Sequence, residues 1–191
     1  MKKTLWKSIV FLLLPILFAG CSLKSHYYVL SNPSGVTAQK KLSGLSIGVE
    51  QVVVPEYLFK REIAVSNSSS EVHFLSDAEW AEDLDAGLTR RLIAYLQKRF
   101  EQPHVYTYPW ELDRQPDIKV KVQISRFIAQ SGKVYLDASW EAKDLKRGKT
   151  IARLFHKEVP TDGTPRGIVA AMDRVFGYLE EDIARGVLRL R

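Results

Sequence analysis

In the stretch DIKVKVQISRF, residues 117–127, Ile118, Val120, Val122 and Ile124 occupy every second position, with lysine and glutamine between them. Side chains alternate across a pleated strand, so this order gives one apolar and one polar face; wound as a helix it would scatter the same residues around the cylinder. Gly132 then opens KVYLDASWEAKD, which sets Val134, Leu136, Ala138 and Trp140 on one face. KRGK at 146–149 reads as a hairpin turn in which Gly148 supplies a positive φ. TIARLFHKEVP returns as a third strand. Strands joined by tight turns predict an antiparallel meander, and its apolar face requires a covering layer.

The cover follows from a change of period. From Ser76 to Phe100 the apolar residues fall at Trp80, Leu84, Leu88, Leu92, Tyr95, Leu96 and Phe100, three and four apart, as on one face of an amphipathic helix. Ser76 and Glu79 have the spacing of a capping box, and the helix should end before Pro103. Thr164 and Pro165 suit the cap and first position of a closing helix. Its stripe runs through Ile168, Ala171, Val175, Leu179, Ile183, Val187 and Leu190. Trp80 and Trp140 each fall on an apolar stripe and are read as core. The amino-terminal half supplies the other strands: HYYVL at 26–30, LSIGVEQVVVP at 45–55, a hairpin of YLFKREIAVS and EVHFL about NSSS, and HVYTYP at 104–109. The expected fold is α/β: a mixed β-sheet of about six to seven strands with an antiparallel meander, and two long amphipathic helices layered on it as an α/β sandwich. The pattern leaves strand order open.

The chain begins with a different kind of segment. Ile9 to Phe18 is a ten-residue apolar run, about 15 Å as a helix, whereas a bilayer core is roughly 30 Å thick. Lys2, Lys3 and Lys7 precede the run, Pro15 interrupts it, and the small residues Ala19 and Gly20 follow. This is the layout of a secretory signal rather than a membrane span. The ending, Phe18-Ala19-Gly20-Cys21, resembles the lipobox of bacterial lipoproteins, with Phe18 where leucine is commonest. The resemblance implies cleavage between Gly20 and Cys21 and acylation of Cys21, whose thiolate is the nucleophile such chemistry needs. Ser22 stands where aspartate would favour retention at the inner membrane, so the outer membrane, on its periplasmic side, is the implied destination. The expected organisation is a cleaved signal peptide over 1–20, a lipidated tether over 21–25 and a single domain over 26–191. Without its first 20 residues the 191-residue chain keeps 171 and, three lysines fewer, its formal charge falls from +6 to +3. With its one cysteine acylated it can form no disulfide, so stability has to come from burial.

No reactive constellation stands out. His26, His73, His104 and His156 are scattered without i, i+4 spacing, and no second cysteine is present for a metal site. SGKV at 131–134 lacks the upstream glycine of a phosphate-binding loop. Glu79, Glu82, Asp83 and Asp85 gather at a predicted helix start, where the dipole favours negative charge without any acid/base role. Lys143, Lys146, Arg147 and Lys149 surround a turn, and a mature charge of +3 is modest for nucleic-acid binding. Neither an enzyme nor a nucleic-acid-binding protein is expected, and no catalytic, cofactor-binding or metal-binding residue is assigned.

Several ordered segments carry a wider resemblance: YYVL soon after Cys21, VEQVVVPEYL at 49–58, EWAEDL at 79–84, VQISRFIAQSGKVYLDASW at 122–140, and TDGTP leading into the last helix. Together they resemble the ABC-type transport auxiliary lipoproteins, the family of the paraquat-inducible C (PqiC) type, over nearly all of the mature chain. The resemblance implies a non-catalytic docking component of an intermembrane lipid transport system. Its implied partners are an MCE-domain protein of the PqiB type, ABC transporter or integral membrane subunits, the membrane lipid that receives the acyl anchor, and further copies of the chain in a ring.

Geometry supports such a role independently. If HYYVL belongs to the sheet, residues 22–26 reach at most about 17 Å, and the domain is held against its membrane. A transport role then needs a long partner that comes to it. If HYYVL instead belongs to the tether, residues 22–43 could extend about 75 Å. The aromatic loops PEYLF at 55–59 and YTYPW at 106–110 offer Tyr57, Leu58, Phe59, Tyr108 and Trp110 as partner-binding residues, or as packing over the sheet's end. A periplasmic lipid- or small-ligand-binding lipoprotein acting alone is the alternative, and would need a deep apolar pocket. A hydrolase with a noncontiguous site is a third.

Overall fold

A computed structural model describes residues 25–190 apart from 34, 39–41, 43, 69 and 111–114. The leader, Cys21 and the residues just after it lie outside the described residues. In chain order the elements are β1 (His26–Tyr28), β2 (Ile47–Val49), a 3₁₀ turn (Glu56–Phe59), β3 (Glu62–Ser68), β4 (Glu71–Trp80), α1 (Leu84–Phe100), β5 (Val105–Thr107), β6 (Ile118–Gln130), β7 (Lys133–Asp144), β8 (Thr150–Pro160) and α2 (Pro165–Arg189).

The meander is present, and β6 is its spine. One edge of β6 pairs antiparallel with β7 from Ile118–Asp144 to Gln130–Lys133, and β7 pairs in turn with β8. The other edge is shared. Its first part takes β2 in parallel, with Ile47 beside Ile118 and Val49 beside Val120; its last part takes β3 in parallel, with Val65 beside Ala129. Between the two, the β6–β7 register shifts from Ile124 to Arg126, a bulge that bends the strand where one neighbour gives way to the next. Beyond β2 lies β5. Beyond β3 lies β4, and beyond β4 lies β1, parallel to it with His26 beside Ala78. The sheet is mixed and has eight strands, with the segments read from HYYVL and HVYTYP as its three-residue strands β1 and β5.

Both helices lie on one face. Met172, Val175, Phe176, Leu179, Ile183 and Val187 of α2 are fully buried, as are Leu136 and Ala142 of β7. Contact there is close: a Cβ built on Gly186 would stand 2.1 Å from the Trp140 ring. Trp140 Nε1 donates to Asp182 Oδ2 at 3.0 Å, and Arg153 reaches the other oxygen of the same carboxylate at 3.3 Å. Leu88, Leu92, Leu96 and Phe100 of α1 bury the second stripe, and Thr89 Oγ1 accepts from the Val52 amide at 2.9 Å. On the opposite face of the meander Lys121, Gln123, Ser125, Glu141 and Leu154 are exposed, so the molecule has two layers.

Three local expectations are corrected. Ser76 and Glu79 form no capping box: they lie in β4, and α1 begins after Asp83. Ala78 and Trp80 alternate inward from a strand clamped between β3 and β1, and that pairing overrides a helical spacing which Trp80 fits equally well. YLF, expected to open a strand, is the 3₁₀ turn. EVHFL continues through Trp80 as a ten-residue strand. The closing helix is capped as expected, with Thr164 Oγ1 accepting from the Gly167 amide at 3.0 Å and Pro165 at its first position. The β6–β7 turn takes positive φ at both Ser131 and Gly132, and Gly148 takes it in the next turn.

Candidate functional site

Arg91, Tyr95 and Arg99 are spaced by four on α1 and so share one side of the helix. That side faces Asp173, Glu180 and Glu181 of α2. Arg91 donates through Nε and Nη2 to the two oxygens of Glu180 at 3.2 and 3.3 Å, and through Nη2 to the Asp173 carbonyl at 3.0 Å; its Nη1 also meets the Asp173 carboxylate. Arg99 grips Glu181 with two parallel bonds of 3.1 Å, and Tyr95 donates to the same carboxylate at 2.5 Å. The seam between the helices is therefore ionic, and the order of its pairs shows the helices running in the same direction.

The segment between β1 and β2 closes over this seam. Its Ser31 amide donates to Asp173 at 3.0 Å, its Pro33 carbonyl accepts from Lys98 at 2.7 Å, and its Thr37 carbonyl accepts from Arg99 at 3.0 Å. The cavity left between segment and helices measures about 590 Å³ and is bounded by Val36, Arg91, Arg99, Tyr178 and Glu181 among others. Burial pushes Glu180 up from 4.5 to about 7 against the pull of Arg91. Its neighbour Glu181 moves the other way: burial raises it, but the bonds from Tyr95 and Arg99 outweigh that and hold it below 4.5. Burial and the Glu181 carboxylate raise the Tyr95 hydroxyl.

Such a cluster fixes helix register more than it adds stability, since the desolvation of buried charges offsets most of their attraction. Among the described residues no buried side-chain nitrogen or oxygen lacks a partner. Glu180 has both oxygens on Arg91 and a side chain only 1% exposed. The sequence reading missed this cluster. Its signal was there: Arg91 and Arg99 fall within the three-and-four spacing of the first stripe, where a charge has to be paired or strained.

The residues singled out for partner binding are not brought together. Leu58 is buried in the core, Tyr57 is half-buried and its hydroxyl accepts from the Phe127 amide at 3.1 Å just past the β6 bulge, and Phe59 is 61% exposed. Tyr108 is 57% exposed and meets Trp110 edge-on, with ring centroids 5.0 Å apart. Trp110 donates to Gln115 at 2.9 Å and lies so close to β2 that a Cβ on Gly48 would stand 2.9 Å from its ring. Tyr108 is level with Val49 and hence with Val120, whereas Tyr57 is level with Phe127. Seven strand residues part the two loops, about 23 Å.

The remaining sequence candidates are dispersed. His26, His73, His104 and His156 are all exposed, and among the described residues no three His, Cys, Asp or Glu side chains gather as a metal ion would need. Glu82 pairs with Arg90 and Asp85 accepts from Gln51. Lys146 pairs with Asp117, and Lys149 caps the end of α2 through the Arg189 carbonyl. No helix among the described residues is long and apolar enough to cross a membrane.

The fold and the ordered segments can now be set against known proteins. The family model for the ABC-type transport auxiliary lipoprotein component matches residues 28–184. The chain belongs to that family. The match runs from the last residue of β1 through every later strand and the first 20 of the 25 residues of α2. Two solved structures share the fold of this auxiliary lipoprotein. A protein from Xanthomonas campestris of the DUF330 family superposes with a TM-score of 0.71 at 14% identity, over 84% of this chain and 93% of its own. A crystal structure of an uncharacterized protein gives 0.69 at 23% identity, over 85% of this chain and 97% of its own. Comparison with curated proteins gives no match. The family is described as a transport auxiliary component rather than as a catalyst.

Proposed function

We propose that this auxiliary lipoprotein is held to the outer membrane by acyl chains on Cys21, faces the periplasm, and serves as a non-catalytic dock for an MCE-domain protein of an intermembrane lipid transport system. ABC transporter or integral membrane subunits stand at the other end of that system. The observation that carries the reading is β1: His26–Tyr28 is hydrogen-bonded into the sheet beside β4, so only a few residues separate Cys21 from the folded body. A body tied that closely cannot ferry a lipid across the periplasm. It can receive a partner that spans the gap. The exposed parts of the aromatic loops, Phe59 and Tyr108, are the contacts assigned to that partner. The cavity under the β1–β2 segment, walled by paired charges, is poorly suited to an acyl chain, which weighs against a lone lipid carrier.

The test is made on the full chain expressed in its own host. Intact mass of the membrane-extracted protein should show cleavage before Cys21 and an added lipid mass, and Cys21→Ser should shift the protein out of the outer-membrane fraction. Affinity capture of the lipidated protein should bring down an MCE-domain protein. Co-purified lipid without any MCE partner would favour the lone carrier. Ring-like self-assembly belongs to the same reading, and native mass spectrometry of the extracted protein checks it.

A further inference from the structure

β1 enters the sheet with a fixed direction. It runs parallel to β4, with His26 beside Ala78 and Tyr28 beside Trp80. Its amino-terminal end is therefore directed toward the end of the sheet where β4 begins and the turn after Ser68 joins it to β3. Beyond the pairing with β1 these two strands continue as an arm that is held to β6 as far as Ser66, and of the described residues from Asn67 to His73 every one is exposed.

Two lengths decide what the arm must meet. Measured from Tyr27, which pairs with Glu79, six peptide steps lead to Cys21, a reach of about 20 Å at most. From Glu79 to Glu71 the β3–β4 pairing slips twice in register, so the arm spans only about five residue steps, about 17 Å. Even a fully stretched tether therefore brings Cys21 only about level with the tip of the arm. Any slacker tether sets the arm along the membrane surface or into its headgroup layer, where interfacial segments typically lie about 5–10 Å deep. The surface in question suits that place. Tyr27 on β1 is 64% exposed and Val72 on β4 is 39% exposed. Phe74 is half-buried with Lys60 Nζ 4.5 Å over its ring. Aromatic and lysine side chains with an apolar body and a polar tip are those that settle at the headgroup level.

We propose that the β3–β4 arm and the adjoining β1 edge, carrying Val72 and Tyr27, rest in the headgroup layer of the membrane that bears the anchor. This rests on the reading of Cys21 as acylated and adds an orientation to it. The domain stands on one end of its sheet. Tyr108, beyond β5, is at the other end, and Leu154, 89% exposed on β8, is four strands across from β4, about 19 Å. Both are left clear of the lipid.

The lone cysteine makes the test simple, because acylation consumes its sulfur and leaves the mature chain without a free thiol. Full-length Val72→Cys and Leu154→Cys variants, purified lipidated from native membranes, each carry one thiol for a polarity-sensitive fluorophore. They are reconstituted into vesicles of phosphatidylethanolamine and phosphatidylglycerol containing a lipid with a nitroxide near its headgroup. The expected result is a blue-shifted, strongly quenched emission from position 72 and a water-like, unquenched emission from position 154. Equal quenching at the two sites, or stronger quenching at 154, overturns the orientation while leaving the anchor intact. Uptake of the fluorophore by the unsubstituted protein would show a bare Cys21 and overturn the anchor itself.

Discussion

Glu180 and Glu181 are consecutive residues whose protons respond to folding in opposite senses, and this gives the inter-helix seam a measurable signature. Glu180, lifted from 4.5 to about 7, keeps its proton in the folded chain over a range where the unfolded chain releases it. Its contribution to stability is present below 4.5 and lost as the pH rises through about 7. Glu181, held below 4.5, contributes stability that is present above that value and lost as the pH falls. Glutamine imitates the protonated carboxyl in both cases. Glu180→Gln should therefore match the wild type at about pH 4 and overtake it by about pH 8, whereas Glu181→Gln should fall behind the wild type above 4.5 and close the gap progressively as the pH falls below it. Denaturant titrations across that range check both slopes. The sequence identified neither carboxylate, because a charge on a helix shows its burial only when the facing element is known.

At the scale of elements, the decisive contact is α2 against β7. Gly186 lets the helix come down on the buried Trp140 ring, and an added methyl 2.1 Å from that ring has to displace it. Gly177 lies on the same helix with nothing nearer than 3.7 Å, the tip of Arg91. Gly186→Ala is expected to destabilise the domain by about 1–3 kcal/mol through overpacking, whereas Gly177→Ala should stabilise it by up to about 1 kcal/mol through helix propensity. Equilibrium unfolding of the two variants separates packing from propensity. Elements were the most legible level of this sequence. The β6–β8 alternation and both helical stripes are local periodicities, and α2 is capped by neighbours in the chain. The start of α1 was misplaced because Ala78 and Trp80 fit a strand and a helix alike, and the residues that chose the strand, in β1 and β3, lie elsewhere in the chain.

For the whole molecule, the residues proposed for recognition lie apart from those that hold the fold. Phe59 and Tyr108 are exposed, and exposed side chains away from special features change stability by only about 0.5 kcal/mol. Phe59→Asp and Tyr108→Asp should leave the thermal midpoint nearly unchanged while each, on the proposed function, lowers capture of the proposed MCE-domain partner roughly tenfold, about 1.4 kcal/mol of binding. Binding and melting measured on the same preparations check this. Tyr57, Leu58 and Trp110 are largely occupied in the fold: one accepts from the Phe127 amide, one is core, and one packs over Gly48. The sequence by itself determined the strands of the meander, the two amphipathic helices and the family, since alternation, stripe spacing and ordered motifs are written in neighbouring residues. Tertiary structure alone decided the strand order, the pairing of Arg91 and Arg99, which aromatic side chains stay in water, and the direction in which the first strand meets its sheet. Those depend on contacts between segments far apart in the chain, which only the packed molecule brings together.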